Sequence, residues 1–302
     1  MTDLANPNPM ISKPLEPARA KRGARRRRID LVILLAGLTG VLLLTAALFA
    51  PYLAPFDPDA QRLLARLKPP IGFERADARY LLGSDQLGRD LLSRCLYGLR
   101  LTLLIALFGA FLGLVIGAVA GLAAGMLGGL TDALVMGLCD VKISMPFTLV
   151  ALLVIAIAGA STSVLVCVLG LAYWAQFARL IRAQVLTIRE LPYIEAARAA
   201  GASGWRIATR HVLPNIASPV IVMFTLNISN LILLESALSF LGLGVQPPTA
   251  TLGSMVGQGR DYMPTAPWIV AAPGLLIMLV ALTVMLIGDW LRDRFDVRLR
   301  ER

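Results

Sequence analysis

The side chains that most often carry out chemistry in proteins are scarce in this sequence and far apart. There is one histidine, His211, and there are three cysteines, Cys95, Cys139 and Cys167. Metal sites and Cys–His catalytic pairs need several such residues brought together, which this pattern does not indicate. Two of the cysteines fall in apolar runs, as is typical of small buried side chains. We therefore expect no catalytic residue and no metal site in this chain.

The lysine of an ATP-binding loop is also missing. A P-loop cradles phosphate with a glycine-rich turn that ends in Gly-Lys followed by Ser or Thr. The sequence has four lysines, and none of them follows a glycine: Lys13, Lys21, Lys68 and Lys142. The chain therefore lacks the lysine with which a P-loop hydrolyses ATP, and we expect that it is not an enzyme. We also expect that it has no cofactor of its own.

Three polar residues stand within or beside one of the apolar runs of the sequence. Asn227, Asn230 and Glu235 lie within or just after an uncharged run that ends at Leu234. Polar side chains in a membrane span are costly and mark pathways or contacts between helices. At 1.5 Å per residue, Glu235 is about 33 Å from Leu213, on the far side of a bilayer. The three residues are candidates for a translocation pathway, and a hydrogen bond between helices is the alternative role of Glu235.

The elements that would position these residues are membrane helices. Of the 302 residues, 57% are hydrophobic and only 16% are charged, and the mean hydropathy is +0.72. A spanning helix needs about 20 mostly apolar residues. The composition predicts an all-α, polytopic membrane protein. Its apolar runs predict six transmembrane helices, at roughly 31–51, 100–124, 138–158, 163–184, 213–235 and 266–289.

Basic residues predict the orientation of these helices. Lys and Arg are concentrated before the first helix and after the last, so both termini are expected in the cytoplasm. The chain then divides into a basic N-terminal tail (1–30), the first helix with an external segment (31–99), a membrane core (100–290) and a C-terminal tail (291–302). The net charge of +10 is explained by basic residues that set the topology, or alternatively by basic residues that bind anionic membrane lipid. A nucleic acid partner is not required to explain it.

The cytoplasmic loop at 190–214 has the signals of two short helices with a break between them. Gly201 is placed as a helix stop, and Ser203 can cap a second short helix that runs to about His211. Pro214 suits the first turn of the next membrane helix. Small alanine side chains let another protein come close. The pattern predicts a docking elbow, and an ordinary solvated loop is the alternative.

This loop resembles the cytoplasmic coupling loop of ABC importer permeases. In that family E-A-A is followed after three residues by Gly, and later by Leu-Pro. His211 stands where the general pattern has an apolar residue, but RHVLPN at 210–215 resembles the dipeptide/oligopeptide branch. The resemblance implies that ten residues form the ATPase-coupling loop: Glu195, Ala196, Ala197, Gly201, Ala202, Ser203, Arg210, His211, Leu213 and Pro214.

Two further motifs are similar to the same branch. LGSDQLGRD at 82–90 resembles its L-G-T-D-x-x-G-R-D signature, and SFLGLGVQPP at 239–248 resembles a second stretch. The chain is thereby identified as similar to the C-type permease subunit of the dipeptide/oligopeptide/nickel family. The signature residues of the external segment are Gly83, Asp85, Gly88, Arg89 and Asp90. Asp85, Arg89 and Asp90 are expected to form an ion-pair cluster that orders this segment.

The resemblance implies a type I ABC importer permease fold in the bacterial cytoplasmic (inner) membrane. Such a permease pairs with a second homologous permease and with two ABC ATPase subunits, which bind ATP and Mg. An extracytoplasmic substrate-binding protein delivers the solute. The implied substrates are di- or oligopeptides, and the same scaffold also carries nickel, glutathione or other small solutes. An ion-coupled secondary transporter is the alternative from another class, but it would need several charges at the membrane midplane.

The second predicted helix carries a glycine at every fourth position. The ladder consists of Gly109, Gly113, Gly117, Gly121 and Gly125. Glycines on one face let another helix approach closely. We expect this face to pack against another helix of the same chain, and contact with the second permease is the alternative.

Overall fold

The computed structural model describes residues 19–295, with side chains from Leu31 onward. Within this range the regular structure is helical apart from one isolated bridge between Ser84 and Asp90, which confirms the all-α prediction. The α-helices are α1 (Arg19–Leu48), α2 (Ala50–Leu53), α3 (Leu91–Leu127), α4 (Gly129–Ser144), α5 (Phe147–Ala158), α6 (Thr162–Arg189), α7 (Pro192–Ala199), α8 (Gly204–Ile207), α9 (Leu213–Phe240), α10 (Leu252–Gly259) and α11 (Trp268–Phe295).

Five helical stretches of the described residues are long and apolar enough to cross a membrane, and the third predicted crossing is bent. Helices α4 and α5 meet at an angle of 92°. Met145 is extended there, with a ψ of 133°, and Pro146 follows it. Proline disfavours a helical conformation in the residue before it, so the helix stops. The predicted continuous helix at 138–158 is therefore wrong, and the count of six is reached when the bent pair is one crossing.

Several helices extend beyond their predicted bounds. Helix α3 begins at Leu91 rather than near residue 100, because Asp90 caps it by accepting a hydrogen bond from the amide of Ser93 at 2.8 Å. Helix α11 continues to Phe295. The predicted regional boundaries at 99 and 290 therefore fall inside helices. The predicted tails before residue 19 and after residue 295 lie outside the described residues.

The glycine ladder of α3 lies against α6. A Cβ atom added at Gly117 would be 2.5 Å from the Cβ of Phe177, and one at Gly121 would be 2.5 Å from the carbonyl oxygen of Ala178. Distances this short are not found between real Cβ atoms and their neighbours. Glycine is thus what permits the two backbones to approach. The prediction that the ladder packs against a helix of the same chain is confirmed.

Charged side chains join α4 to the same helix α6. Arg182 donates two hydrogen bonds to the carboxylate of Asp132, and the one from Nη2 to Oδ2 measures 2.6 Å. Arg179 pairs with Asp140 further along the two helices. Both arginines lie in the half of α6 that leads into the loop at 190–214. The first half of the bent crossing is therefore fastened close to that loop.

Helix α9 occupies the centre of the bundle. It packs against α3, α6, α10 and α11. Ser229 donates a hydrogen bond of 2.8 Å from its hydroxyl to the carbonyl oxygen of Ala281 on α11. A Cβ atom added at Gly288 on α11 would be 2.8 Å from the side chain of Leu226 on α9. This central helix joins the loop at 190–214 to the opposite end of the molecule.

Candidate functional site

The first half of the elbow (residues 190–214) is a short helix with a glycine stop. Helix α7 has Pro192 in its first turn, where the missing amide hydrogen costs nothing. After it, Gly201 has a φ of +80°. The amide of Gly201 donates to the carbonyl of Arg198 at 2.9 Å, and the amide of Ala202 donates to that of Ala197 at 3.0 Å. These two bonds form a Schellman motif, which satisfies the free carbonyls of the helix end.

The second half of the elbow continues directly into α9. Ser203 caps α8 by accepting a hydrogen bond of 3.3 Å from the amide of Arg206. A π-helical turn at Ala208–Val212 follows, and Pro214 lies in the first turn of α9. The predicted cap and the predicted place of Pro214 are thus confirmed. The second short helix, however, does not end near His211, since the helix continues from Gly204 to Phe240.

Two buried isoleucines attach the elbow to the bundle. Ile194 of α7 is fully buried and Ile207 of α8 is nearly so. They belong to one apolar cluster with Val185 of α6 and Ile216 of α9. Burying each such side chain contributes about 1.5–3 kcal/mol. The elbow is therefore a fixed part of the fold, and a movement imposed on it is passed to α6 and α9.

The opposite face of the elbow is exposed and carries small side chains beside one large aromatic ring. Glu195 and Ala196 are exposed, and Trp205 is 78% exposed although it is a large apolar residue. Glu195 forms no ion pair within residues 31–295. Tryptophan is enriched at binding hot spots of protein interfaces. This face is suited to docking in a groove of another protein.

His211 lies between the two halves of the elbow, beside Tyr193 of α7. Its ring lies 6.1 Å from the ring of Tyr193, measured between centroids. Asn215 donates to the carbonyl of His211 at 2.6 Å and contacts the hydroxyl of Tyr193 at 3.4 Å. The histidine thus packs on an aromatic ring from α7, which accounts for its place in an otherwise apolar position of the motif. The aromatic partner itself was not predicted from the sequence.

The signature at 82–90 forms a compact turn at the other end of the bundle. Asp85 accepts a hydrogen bond of 2.6 Å from Nε of Arg89, and both side chains are buried. Arg94, which was not predicted to take part in the ion-pair cluster, lies 3.5 Å from the same carboxylate. Asp90 instead caps α3 and forms no ion pair within the described part of the chain. Gly83 and Gly88 both have positive φ values, which the tight turn requires.

The three pathway candidates on α9 do not share one environment. Asn230 is exposed, whereas Asn227 is 3% exposed and Glu235 is 0% exposed. Glu235 lies among hydroxyl groups, and the hydroxyl of Ser239 donates to its Oε1 at 2.6 Å. No group of three or more potential metal ligands occurs within residues 19–295. The candidates therefore separate into one surface residue and two enclosed ones.

Comparison with protein families identifies the class of this bundle. A family model described as "Binding-protein-dependent transport system inner membrane component" matches residues 113–301, which contain the elbow and α9. The chain belongs to this family. A second model, described as "N-terminal TM domain of oligopeptide transport permease C", matches residues 32–70. The sequence resemblance to an ABC importer permease is thus confirmed.

Curated relatives of the permease cover nearly its whole length. It is 43% identical over 267 residues to the di/tripeptide transport system permease protein DppC of Pseudomonas aeruginosa, covering 88% of each chain. It is 36% identical to the dipeptide transport system permease protein DppC of Haemophilus influenzae, covering 88% of this chain and 91% of that one. It is 39% identical to the glutathione transport system permease protein GsiD of Pectobacterium atrosepticum, covering 89% of this chain and 88% of that one.

A solved structure shares the fold of the permease. An inward-facing structure of the MetNI methionine ABC transporter matches with a TM-score of 0.53 and 21% identity. The match covers 68% of this chain and 96% of that one. At this identity the likeness concerns the fold alone. The permease has the type I ABC importer permease fold, as the sequence motifs predicted.

Proposed function

We propose that the permease is the translocating subunit of an ATP-driven importer for di- or oligopeptides. The names of the relatives support a peptide substrate, because two of them are named for dipeptides or for di- and tripeptides. A relative named for glutathione transport is similarly close. Import of glutathione or another small solute is therefore the second candidate.

The observation that carries the coupling role is the elbow. It has an exposed face with Trp205, a glycine stop at Gly201, and a buried side that is fixed to α6 and α9. In this proposal the exposed face docks in a groove of an ABC ATPase subunit. Closure of the ATPases moves the elbow, and α9 moves with it because the helix is continuous from Gly204 to Phe240.

The proposal includes partners that supply what this chain does not. Two ATPase subunits bind ATP and Mg and hydrolyse the nucleotide, since no lysine of this chain follows a glycine. A second, homologous permease completes the pathway, and an extracytoplasmic binding protein delivers the solute. The permease lies in the bacterial inner membrane with both termini in the cytoplasm, which the basic residues at the two ends support.

Asn230 is the proposed pathway residue that this chain presents on its own surface. Asn227 and Glu235 are enclosed, so a solute reaches them only if the helices separate. The coupling residues proposed for the elbow remain those of the motif, and Trp205 and Tyr193 are added to them on the basis of their exposure and their contacts.

Co-purification tests this function directly. Tagged permease is extracted from its native membrane in mild detergent, and the associated proteins are identified by mass spectrometry. We expect a second six-helix permease and P-loop ATPases, and we expect the ATPases to be lost in a Glu195→Ala, Gly201→Val variant. Uptake should stop when the ATPases are inactivated and should survive collapse of ion gradients. Uptake that follows the ion gradient instead would refute the proposal.

A further inference from the structure

A groove runs between α1 and α11, in the part of the molecule that crosses the membrane. It has a volume of about 560 Å³ and is lined by residues 33–44 of α1, residues 280–290 of α11 and Leu103 of α3. Its lining is apolar except for Thr283 and one indole ring. The hydroxyl of Thr283 already donates to the carbonyl of Leu279 at 2.6 Å. The groove therefore suits an apolar occupant and offers a polar solute few hydrogen bonds.

This groove is a narrow slot between two helices that touch. A Cβ atom added at Gly40 would be 3.1 Å from Cδ1 of Ile287, so α1 and α11 are in contact there. At Gly37, one turn away on α1, no atom lies within 4 Å of an added Cβ. Another helix, about 10 Å across, would lie over such a slot without filling it. An extended chain of methylene groups is thin enough to enter the slot.

The length of the groove matches one leaflet of a bilayer. Residues 280–290 of α11 cover about 15 Å at 1.5 Å per residue, which is half of a hydrocarbon core about 30 Å thick. A second cavity follows along residues 268–279 of the same helix. The two cavities end at Trp268 and Trp290, and tryptophan is enriched at both membrane–water interfaces. The indole of Trp268 donates to the carbonyl of Ser84 in the outer signature turn at 3.3 Å, so Trp290 marks the interface on the side of the elbow.

Positive charge is concentrated at this end of the groove. Arg294 follows Trp290 by one turn, and its guanidinium lies over the indole ring, 5.5 Å from the ring centroid. Arg294 is exposed and forms no ion pair with any side chain that the structure describes. The sequence of α1 before the groove, residues 19–30, has seven basic residues and one acidic one. Basic groups beside a groove between membrane helices attract the headgroups of anionic lipids.

We propose that the groove between α1 and α11 binds one acyl chain of an anionic phospholipid, and that Arg294 binds the phosphate of its headgroup beside Trp290. The lipid then joins α1 to the bundle. This helix needs such a contact most, because only 17% of its apolar window is buried, the smallest share among the five spans. The proposal does not depend on which solute is carried or on which subunits accompany the permease.

Photolabelling of the permease, purified with its associated subunits in mild detergent, tests the lipid site. The probe is phosphatidylglycerol with a photoreactive diazirine in one acyl chain, and labelled positions are located by mass spectrometry. We expect labels within residues 33–44 and 280–290. Unlabelled phosphatidylglycerol should displace the probe about fivefold more effectively than phosphatidylethanolamine with the same acyl chains, which is the effect of one arginine near an anionic headgroup.

Two pairs of variants separate the headgroup contact from the acyl-chain contact. Arg294→Gln should abolish the fivefold preference, whereas Arg292→Gln, which removes the same charge, should keep it. Arg292 lines a different cavity, together with Met223 of α9. Gly37→Leu should fill the open part of the slot and reduce labelling within 280–290 at least severalfold. Gly137→Leu also extends into open space, but on α4, and should leave this labelling unchanged.

Three results would overturn the proposal. The first is the absence of label from both 33–44 and 280–290, which would mean that another helix covers the groove. The second is an equal loss of preference in Arg292→Gln and Arg294→Gln, which is the sign of unspecific attraction to a basic surface. The third is unchanged labelling in Gly37→Leu. If Gly37→Leu does not assemble, the positions of the labels and the two arginine variants still decide the outcome.

Discussion

Substitution of Gly201 tests whether the conformation of the elbow determines its binding to the ATPase. Gly201 has a φ of +80°, and no atom lies within 4 Å of the position of an added Cβ. A new side chain therefore meets no obstacle, and its cost is conformational alone. The left-handed region costs an ordinary L-residue about 1–2 kcal/mol. Asparagine is enriched in this region, whereas a β-branched residue there is an outlier.

The expected affinities follow from this cost. If the free elbow relaxes and must regain the left-handed turn on docking, 1–2 kcal/mol raises the Kd for the ATPase about 5–30-fold. We expect the Kd of Gly201→Asn to stay close to that of the wild type. The Kd of Gly201→Ala should rise by an amount within that range, and the Kd of Gly201→Val should rise to its upper end or beyond. ATP-driven uptake should decline in the same order, while the amount of folded permease stays unchanged.

The assay is a titration of purified ATPases onto the permease in nanodiscs, together with uptake into proteoliposomes. Gly204→Val is the matched control, since Gly204 also has open space but no positive φ. A result in which Gly201→Asn weakens docking as much as Gly201→Val would refute the reasoning. The loss would then come from the presence of any side chain at the interface and not from the backbone conformation.

Three further predictions concern the packing of α3 on α6, the docking face and the ion pair between α4 and α6. Gly121→Leu should lower the Tm and the yield of the permease, because its Cβ would be 2.5 Å from a carbonyl of α6. The control Gly137→Leu has open space on α4 and should lower neither. An equal Tm for the two variants would contradict the close packing of α3 on α6. Trp205→Ala should raise the Kd for the ATPase by about tenfold or more without changing the Tm, and an unchanged Kd would remove this residue from the interface. Asp132→Arg and Arg182→Asp should each slow uptake, and the double exchange should restore it; a double variant no better than the single ones would show that the pair has no coupling role.

Local signals in the sequence were sufficient to predict the elbow. Gly201, Ser203 and Pro214 act through their own backbone or through groups within three residues, so their roles follow from residue type and spacing. The close packing at the glycine ladder was also predictable, because its period of four places every glycine on one face of α3. The identity of the helix that it contacts, α6, needed the structure.

Interactions between distant segments were not predictable. The amide of Leu252 donates a hydrogen bond to the hydroxyl of Thr102, 150 positions away, and a buried threonine looks like any other threonine in an apolar run. The bend at Pro146 was missed for a different reason: the run around it stays uncharged, and a composition-based prediction of a span ignores one proline. Asp90 was assigned to an ion pair, whereas its position before Leu91 makes it a helix cap.

The continuous helix from Gly204 to Phe240 has a thermodynamic consequence. It spans 37 residues, or about 55 Å at 1.5 Å per residue, and joins the elbow to the segment that leads into α10. Whenever two distant sites bias the same rigid body, their binding free energies are linked reciprocally. If closure of the proposed ATPases favours one orientation of α9, a protein that binds the segment between α9 and α10 (residues 241–251) more tightly in that orientation strengthens closure at the elbow by the same factor. The coupling between the two faces of the membrane then depends on the stiffness of this one helix. A ligand that binds at one end of the helix changes the affinity for a ligand at the other end.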